Sequence, residues 1–314
     1  MSDANLMIVM YHYVRELEQT RYPGIKGIRV SEFKAQLAYI RRNYQPVTVL
    51  DVVHNLRCGE PLPRNAALLT FDDGYLDHYT YVFPLLHEAG IQGAFFPPAD
   101  PIRHGKLLDV NRIHFILASV ENRWTLVDEL NRSLSNYSRT HGLKTASEYW
   151  DEWGRADRFD PAEVIYVKRM LQVALPEAVR AEIAALLFRK FVSGDEQAFA
   201  RELYMDMDQL RVMQRCGMYI GSHGVTHRWL DSLPPEIQRE EIEGSLAFLR
   251  EIGSPLDKGW VMCYPYGASD ESLHGQLKEY RCAFGLTTEC AMANLKTNDP
   301  LLLPRLDTND LPKQ

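Results

Sequence analysis

An apolar run, Ala66 to Phe71, stops abruptly at two adjacent carboxylates and a glycine, Asp72-Asp73-Gly74. The run reads as a buried strand, and Gly74 lets the chain turn sharply away from its end. Successive residues leaving a strand point in different directions, so the two acids can hold different posts. One can bind a metal while the other moves a proton. Taken alone, Asp-Asp-Gly is also ordinary turn chemistry.

A second stretch, Tyr219-Ile-Gly-Ser-His-Gly-Val-Thr-His227, carries His223 and His227 four residues apart after a short strand. One turn of helix, or a loop of similar reach, puts both imidazoles on one side. Two imidazoles and one carboxylate with an open fourth position form a common set for a catalytic divalent metal, usually zinc. Asp73 is available as the carboxylate. The plain alternative is two solvated loop histidines. A third strand end, Gly259 to Gly267, terminates in Tyr264-Pro265-Tyr266-Gly267. Proline, aromatic and glycine make a stiff turn, able to present a backbone N–H to a developing oxyanion, and equally an ordinary β-turn.

In this order the three segments resemble the polysaccharide deacetylases, the chitooligosaccharide-deacetylase homology domain of carbohydrate esterase family 4. Thr70 to Gly74 matches the first family motif. His223 and His227 match the spacing of the second, with Gly224 where Ser or Thr is usual. Cys263 to Gly267 matches an aromatic-Pro-Tyr-Gly branch of the third, which ordinarily has an arginine ahead of it. The likeness extends over residues 7–100 and 205–290. It implies Asp73, His223 and His227 as metal ligands, Asp72 as general base on a metal-activated water, and the Tyr266 backbone N–H as an oxyanion donor. The implied cofactor is a divalent metal, zinc first, with cobalt, nickel and manganese as alternatives. That set suits N-deacetylation, in which an amide carbonyl is polarised, water is activated and a proton is taken up.

An amide also needs an acid for its leaving nitrogen, and the family's late Leu-x-His motif is missing. His274, inside a helix expected over Asp270–Tyr280, reads as a surface residue. His12, at the end of the apolar run Leu6 to Met10, would be brought to the metal by a parallel barrel, whose strand ends share one face. His12 is therefore the candidate pocket residue and acid. Arg305, in Leu303-Pro-Arg-Leu-Asp307, is the candidate for the missing arginine, and Asp77 for support of the first-motif loop, with N-capping as its alternative.

Strand and helix patterns alternate along the flanks, which favours a parallel barrel over an antiparallel sandwich. The expectation is an α/β fold, a distorted (β/α) barrel with about seven parallel strands, formed by residues 1–314 as one domain. Residues 101–203 show no strand pattern and read as a helical insertion, with helices over 111–120, 124–134 and 161–192, the last broken at Leu175-Pro176. Following the strand end Phe95-Phe96-Pro97-Pro98, the insertion is expected to leave the catalytic face. Its aromatics Tyr149, Trp150 and Trp153 read as a packing seam, or as a sugar-stacking platform.

Net charge of −7 and pI near 5.8 argue against a nucleic-acid binder. No run approaches the ~20 apolar residues of a membrane span, so no stable membrane insertion is expected. Five scattered cysteines and no visible signal peptide point to a cytoplasmic chain. The expected partner is an N-acetylated saccharide; the oligomeric state is open. The expected function is a metal-dependent hydrolase removing N-acetyl from an amino sugar in a saccharide or glycan precursor of a surface polysaccharide. The alternatives are a deformylase or other C–N amidohydrolase, and a non-catalytic carbohydrate-binding relative, which the missing acid and arginine motifs would favour.

Overall fold

The computed structural model describes residues 5–157 and 160–314. The chain forms two compact units, Met1–Glu16 with Gly27–Lys106 and Ala200–Gln314, and Leu17–Lys26 with Leu107–Phe199.

The first unit is built on seven short strands: β1 (Asn5–Tyr11), β2 (Ala66–Asp72), β3 (Gly93–Phe96), β4 (Tyr219–Ile220), β5 (Trp260–Cys263), β6 (Cys282–Leu286) and β7 (Leu306–Asp307). β1 pairs in parallel with β2, from Leu6 opposite Ala66 to Tyr11 opposite Phe71. β2 pairs with β3, and β3 with β4. A single parallel bridge between Ser222 and Met262 carries the order to β5, which pairs with β6. A second bridge, Leu286 to Leu303, leads to β7, and β7 lies parallel to β1 at Val9 and Met10. The ring closes as a distorted parallel barrel. One segment departs from the expected all-parallel order. Ala293–Asn294 runs antiparallel to Asn5 and Leu6, on the stretch of β1 that β7 is too short to reach. It satisfies backbone groups that would otherwise form a bare edge.

All seven residues of β2 are buried, as its unbroken apolar run demands. Leu6 and Ile8, Ala66 and Leu68, Ala94 and Phe96, Val261 and Cys263, and Phe284 and Leu286 gather in one cluster with Val49, Val52 and Val53 of helix Val49–Cys58. The members from each strand are two residues apart, so they share a face, and strands across the ring contribute to the same core. Continuing that two-residue step, Asp72 follows Leu68 and Thr70 towards the C-terminal end of the ring.

The second unit is helical. Helices Asp109–Ser119, Trp124–His141, Ala146–Trp153 and Glu177–Phe191 surround an aromatic centre in which Phe199 meets Phe115 and Phe188 edge-on. Helix Ala162–Arg169 runs into a wide turn, Met170–Ala174, and stops at Leu175 before Pro176, where a ring in place of an N–H ends the ladder. Asp160 accepts from Lys26 at 2.6 Å and from Lys168 at 2.7 Å. Trp150 packs against Trp124 and Tyr166, with centroids 5.1 and 5.0 Å apart. That contact makes it part of a packing seam. Among the described residues no helix is long and apolar enough to cross a membrane.

Gly74 has φ +69°, and a Cβ there would lie 2.7 Å from the Pro97 Cβ. Gly74→Ala should lower the urea-unfolding free energy by about 1–3 kcal/mol. Gly275, inside helix Glu271–Glu279 with open space around it, provides the contrast: Gly275→Ala should gain about 0.5–1 kcal/mol. Equal effects of the two substitutions would contradict this account of the first-motif turn.

Candidate metal and catalytic site

Three polar loops leave the C-terminal ends of β2, β4 and β5, and each contains a non-glycine residue in the left-handed region. Asp73 has φ +69°, His227 φ +57° and Tyr266 φ +60°. Each costs of order 1–3 kcal/mol and persists only where the surroundings enforce it. For Asp73, the Tyr75 hydroxyl donates to Oδ2 at 2.5 Å, and Met205 N–H holds the Gly74 carbonyl at 2.9 Å. For the histidine loop, the enforcing group is Glu241, 3% exposed on helix Pro235–Ile252. It accepts from Val225 N–H at 2.6 Å, from Thr226 N–H at 3.1 Å and from the Thr226 hydroxyl. Gly224 has φ +70°, and a Cβ there would sit 2.9 Å from Glu241 Oε2. The glycine in the family's Ser/Thr position is what lets this carboxylate approach.

The structure brings Asp73, His223 and His227 together, all buried, with one potential ligand atom from each within 4.8 Å of the others. Both Nε2 atoms face Asp73 Oδ1, His223 at 3.3 Å and His227 at 3.2 Å. Neither contact has hydrogen-bond geometry, and Oδ1 is a buried acceptor without a partner. An orphaned carboxylate oxygen costs free energy unless something positive sits there. His223 Nδ1 lies 2.7 Å from the Cys263 carbonyl, which fixes Nδ1–H and leaves Nε2 as the lone-pair donor, the arrangement typical of a metal-bound imidazole. The donor set fits a divalent cation such as zinc. A second grouping, Asp72, His223 and Cys263, is equally compact, but its donors are occupied. Both Asp72 oxygens are bonded, and burial raises the Cys263 thiol pKa, away from the thiolate a metal requires.

Asp72, 2% exposed, is clamped by Arg305, whose side chain is fully buried. Arg305 Nη1 donates to Oδ1 at 2.9 Å and Nη2 to Oδ2 at 2.8 Å. The guanidinium also reaches the Thr287 carbonyl at 2.8 Å and Thr70 Oγ1 at 3.1 Å. Burial pushes the Asp72 carboxyl up, but the Arg305 charge and hydrogen bonds outweigh it and hold the pKa at about 2. The structure places the Arg305 guanidinium on Asp72, with Cys263 at the position ahead of Tyr264-Pro265-Tyr266-Gly267.

His12 Nε2 lies 3.9 Å from Asp72 Oδ2, and its side chain is 40% exposed. Two residues set its place. His78 Nε2 donates to the His12 carbonyl at 2.8 Å, and Asp77 accepts from Arg15 Nε at 2.7 Å, just beyond it in sequence. Asp77 makes no capping bond. Tyr266 stacks on Trp229, with centroids 4.4 Å apart and planes 5° apart, and meets the His227 ring edge-on at 4.8 Å. His274 bonds Ser269 Oγ at 3.0 Å and stays out of the cluster. Glu241, His78 and Trp229 were not picked out from sequence. Glu241 precedes an ordinary apolar stripe, and His78 sits among polar helix-start residues.

A closed parallel barrel carrying a buried Asp-His-His cluster at its C-terminal strand ends defines an α/β-barrel protein with a candidate metal site. A family model described as Polysaccharide deacetylase matches residues 189–284, the stretch with the second and third motifs. The poly-β-1,6-N-acetyl-D-glucosamine N-deacetylase of Escherichia coli (strain K12) is 48% identical over 61 residues, 19% of this chain and 9% of that protein. The match therefore spans under a tenth of that relative's length. The Streptococcus pyogenes deacetylase PplD, solved in complex with acetate, superposes with a TM-score of 0.58 at 15% identity, covering 98% of this chain and 93% of its own. IcaB from Ammonifex degensii gives 0.55 at 19% identity, covering 98% and 92%. These two likenesses concern the fold. Over residues 189–284 the chain is similar to the polysaccharide deacetylases.

Two outcomes follow from the buried charges. Arg305→Leu leaves Asp72 as an uncompensated buried carboxylate and should cost about 3–5 kcal/mol, part of it recovered in Asp72→Asn/Arg305→Leu; a full-cost double variant would dissolve the pairing. His78 has its pKa lowered by burial from 6.5 to about 4, so unfolding takes up a proton between those values. Its contribution is complete above about pH 6.5 and is lost as pH falls towards 4, up to about 3 kcal/mol. His78→Asn should flatten the stability–pH slope in that window, and an unaltered slope would reassign it.

Proposed function

We propose that this chain is a metal-dependent N-deacetylase acting on an N-acetylated amino sugar within a polysaccharide. The observation that carries the reading is the pairing of two neighbouring acids in opposite states. Asp73 Oδ1 has no hydrogen-bond partner and faces two imidazole nitrogens, while Asp72 is fully bonded and held ionised by Arg305. The 48% identical segment favours β-linked N-acetylglucosamine in polymeric form over a nucleotide- or lipid-linked precursor.

Asp73, His223 and His227 would hold the metal, zinc by the nature of the donors. A bound divalent cation polarises an amide carbonyl and lowers the pKa of water. The chain's own groups supply the rest. Asp72 is ionised throughout the neutral range and takes the proton of the attacking water as its oxygen bonds to the carbonyl carbon. The Tyr266 turn, locked at φ +60° between Pro265 and Gly267, offers its backbone N–H to the developing oxyanion. His12, half-exposed beside Asp72, donates to the leaving nitrogen as the C–N bond breaks, giving acetate and a free amine. Five free thiols support a reducing, cytoplasmic setting.

Purified protein should contain about one divalent metal per chain and release acetate from β-1,6-linked N-acetylglucosamine oligomers. His223→Ala should lose both. Asp72→Asn should keep the metal and lose turnover, and His12→Ala should lose about 10²–10⁴-fold in kcat. Acetate release by metal-free protein, or full activity in Asp72→Asn, would overturn the assignment.

A further inference from the structure

We propose that the barrel carries a second site, at the N-terminal ends of its strands, that binds the phosphate group of a small molecule. A cavity of about 330 Å³ there is lined by Arg57, Arg250 and Arg281, with Asp257, Trp260 and Tyr280 among its other walls. Trp260 is the first residue of β5 and Cys263 the last, so this cavity and the Asp73 cluster lie at opposite ends of one strand. The volume falls in the range of small-molecule sites.

Three guanidinium groups reach this cavity from three separate elements. Arg57 ends helix Val49–Cys58, Arg250 ends helix Pro235–Ile252, and Arg281 lies in the turn before β6. Among the described residues none of the three has a carboxylate within ion-pair distance. The one hydrogen bond from Arg57 goes to the Lys258 carbonyl at 3.3 Å. Asp257 is the one acid lining the cavity, which leaves a local excess of two positive charges in a chain of net charge −7. Last-turn positions explain Arg57 and Arg250 on their own helices. They do not explain the convergence with Arg281.

Arg281 is the sharper observation. Its φ is +58°, one of five non-glycine residues in the left-handed region among the described residues, and three of the others are Asp73, His227 and Tyr266. Arg281 follows the C-cap of helix Glu271–Glu279, a position where a left-handed residue commonly ends a helix and glycine is the usual occupant, so the arginine carries a backbone cost that glycine would avoid. Trp260 Nε1 donates to the Tyr280 carbonyl at 2.8 Å, which fixes the residue before it. Guanidinium forks match phosphate oxygens in geometry and charge, and several of them favour a dianion over chloride.

The test uses the metal-loaded full chain, titrated calorimetrically with inorganic phosphate and with glucose 1-phosphate, a sugar phosphate without an N-acetyl group, against chloride at equal ionic strength. Saturable binding of at least one phosphate compound is expected, without response to chloride. Comparable affinities assign the site to free phosphate; at least tenfold tighter binding of the sugar phosphate assigns it to a phosphorylated metabolite. Arg281→Gly relieves the backbone strain, so it should fold with an equal or higher Tm, keep its acetate release, and bind phosphate at least tenfold more weakly. Arg250→Gln should weaken binding in the same direction. No saturable binding by the parent protein, or an unchanged Kd in a folded Arg281→Gly, would overturn the proposal. Neither result depends on the deacetylase reading, since the probe is phosphate binding and not turnover.

Discussion

Arg305 and Asp72 face each other in a fully buried, two-pronged ion pair, and the rest of the catalytic end is arranged around the cost of keeping it there. Charges taken out of water are stable only when every donor and acceptor is satisfied. The guanidinium meets that condition by also bonding the Thr287 carbonyl after β6 and the Thr70 hydroxyl on β2. The same contacts hold the two-residue β7 against strands far from it in sequence. Because the Arg305 guanidinium engages both Asp72 oxygens, the neighbouring Asp73 is the acid left with an oxygen that has no hydrogen-bond partner.

The second constraint is backbone strain. Asp73, His227 and Tyr266 all sit where side chains are disfavoured, and each is held by a group outside its own loop. Met205 N–H holds the Gly74 carbonyl beside Asp73, Glu241 secures the Gly224–His227 turn, and Thr288 Oγ1 donates to the Tyr266 carbonyl at 3.3 Å. Gly267 allows that last approach, since a Cβ there would lie 2.4 Å from Thr288 Oγ1. Strain distributed in this way fixes the positions of the polar groups at this end of the barrel.

Much of this was legible in the sequence because it follows from short-range rules. The apolar run into Asp-Asp-Gly marked β2 and its polar end, and the shared face of strand ends in a parallel barrel placed His12 near Asp72 and Asp73. The closure of the ring was not legible. β4 and β7 are two residues long, too short for any periodicity, and two of the seams are single bridges. Arg305 could be placed only by its position in the last apolar segment, since the contact that defines it spans 233 residues. Glu241 and His78 were hidden for a similar reason. A buried polar residue on a helix looks like a surface one until its partner, here the 225–226 amides or the His12 carbonyl, is brought in by the fold. Arg281 carried no signal at all, because a left-handed arginine has no pattern in sequence.

The claim on which the catalytic account rests is that the cation is held by Asp73, His223 and His227 and not by the overlapping group of Asp72, His223 and Cys263. X-ray absorption spectroscopy of the zinc-loaded protein separates them directly. The account predicts a shell of nitrogen and oxygen scatterers at roughly 2.0–2.2 Å with the outer-shell pattern of two imidazoles and no sulfur. A sulfur scatterer near ~2.3 Å would put the metal on Cys263, break the Arg305–Asp72 pair, and contradict the separation of roles between the two aspartates.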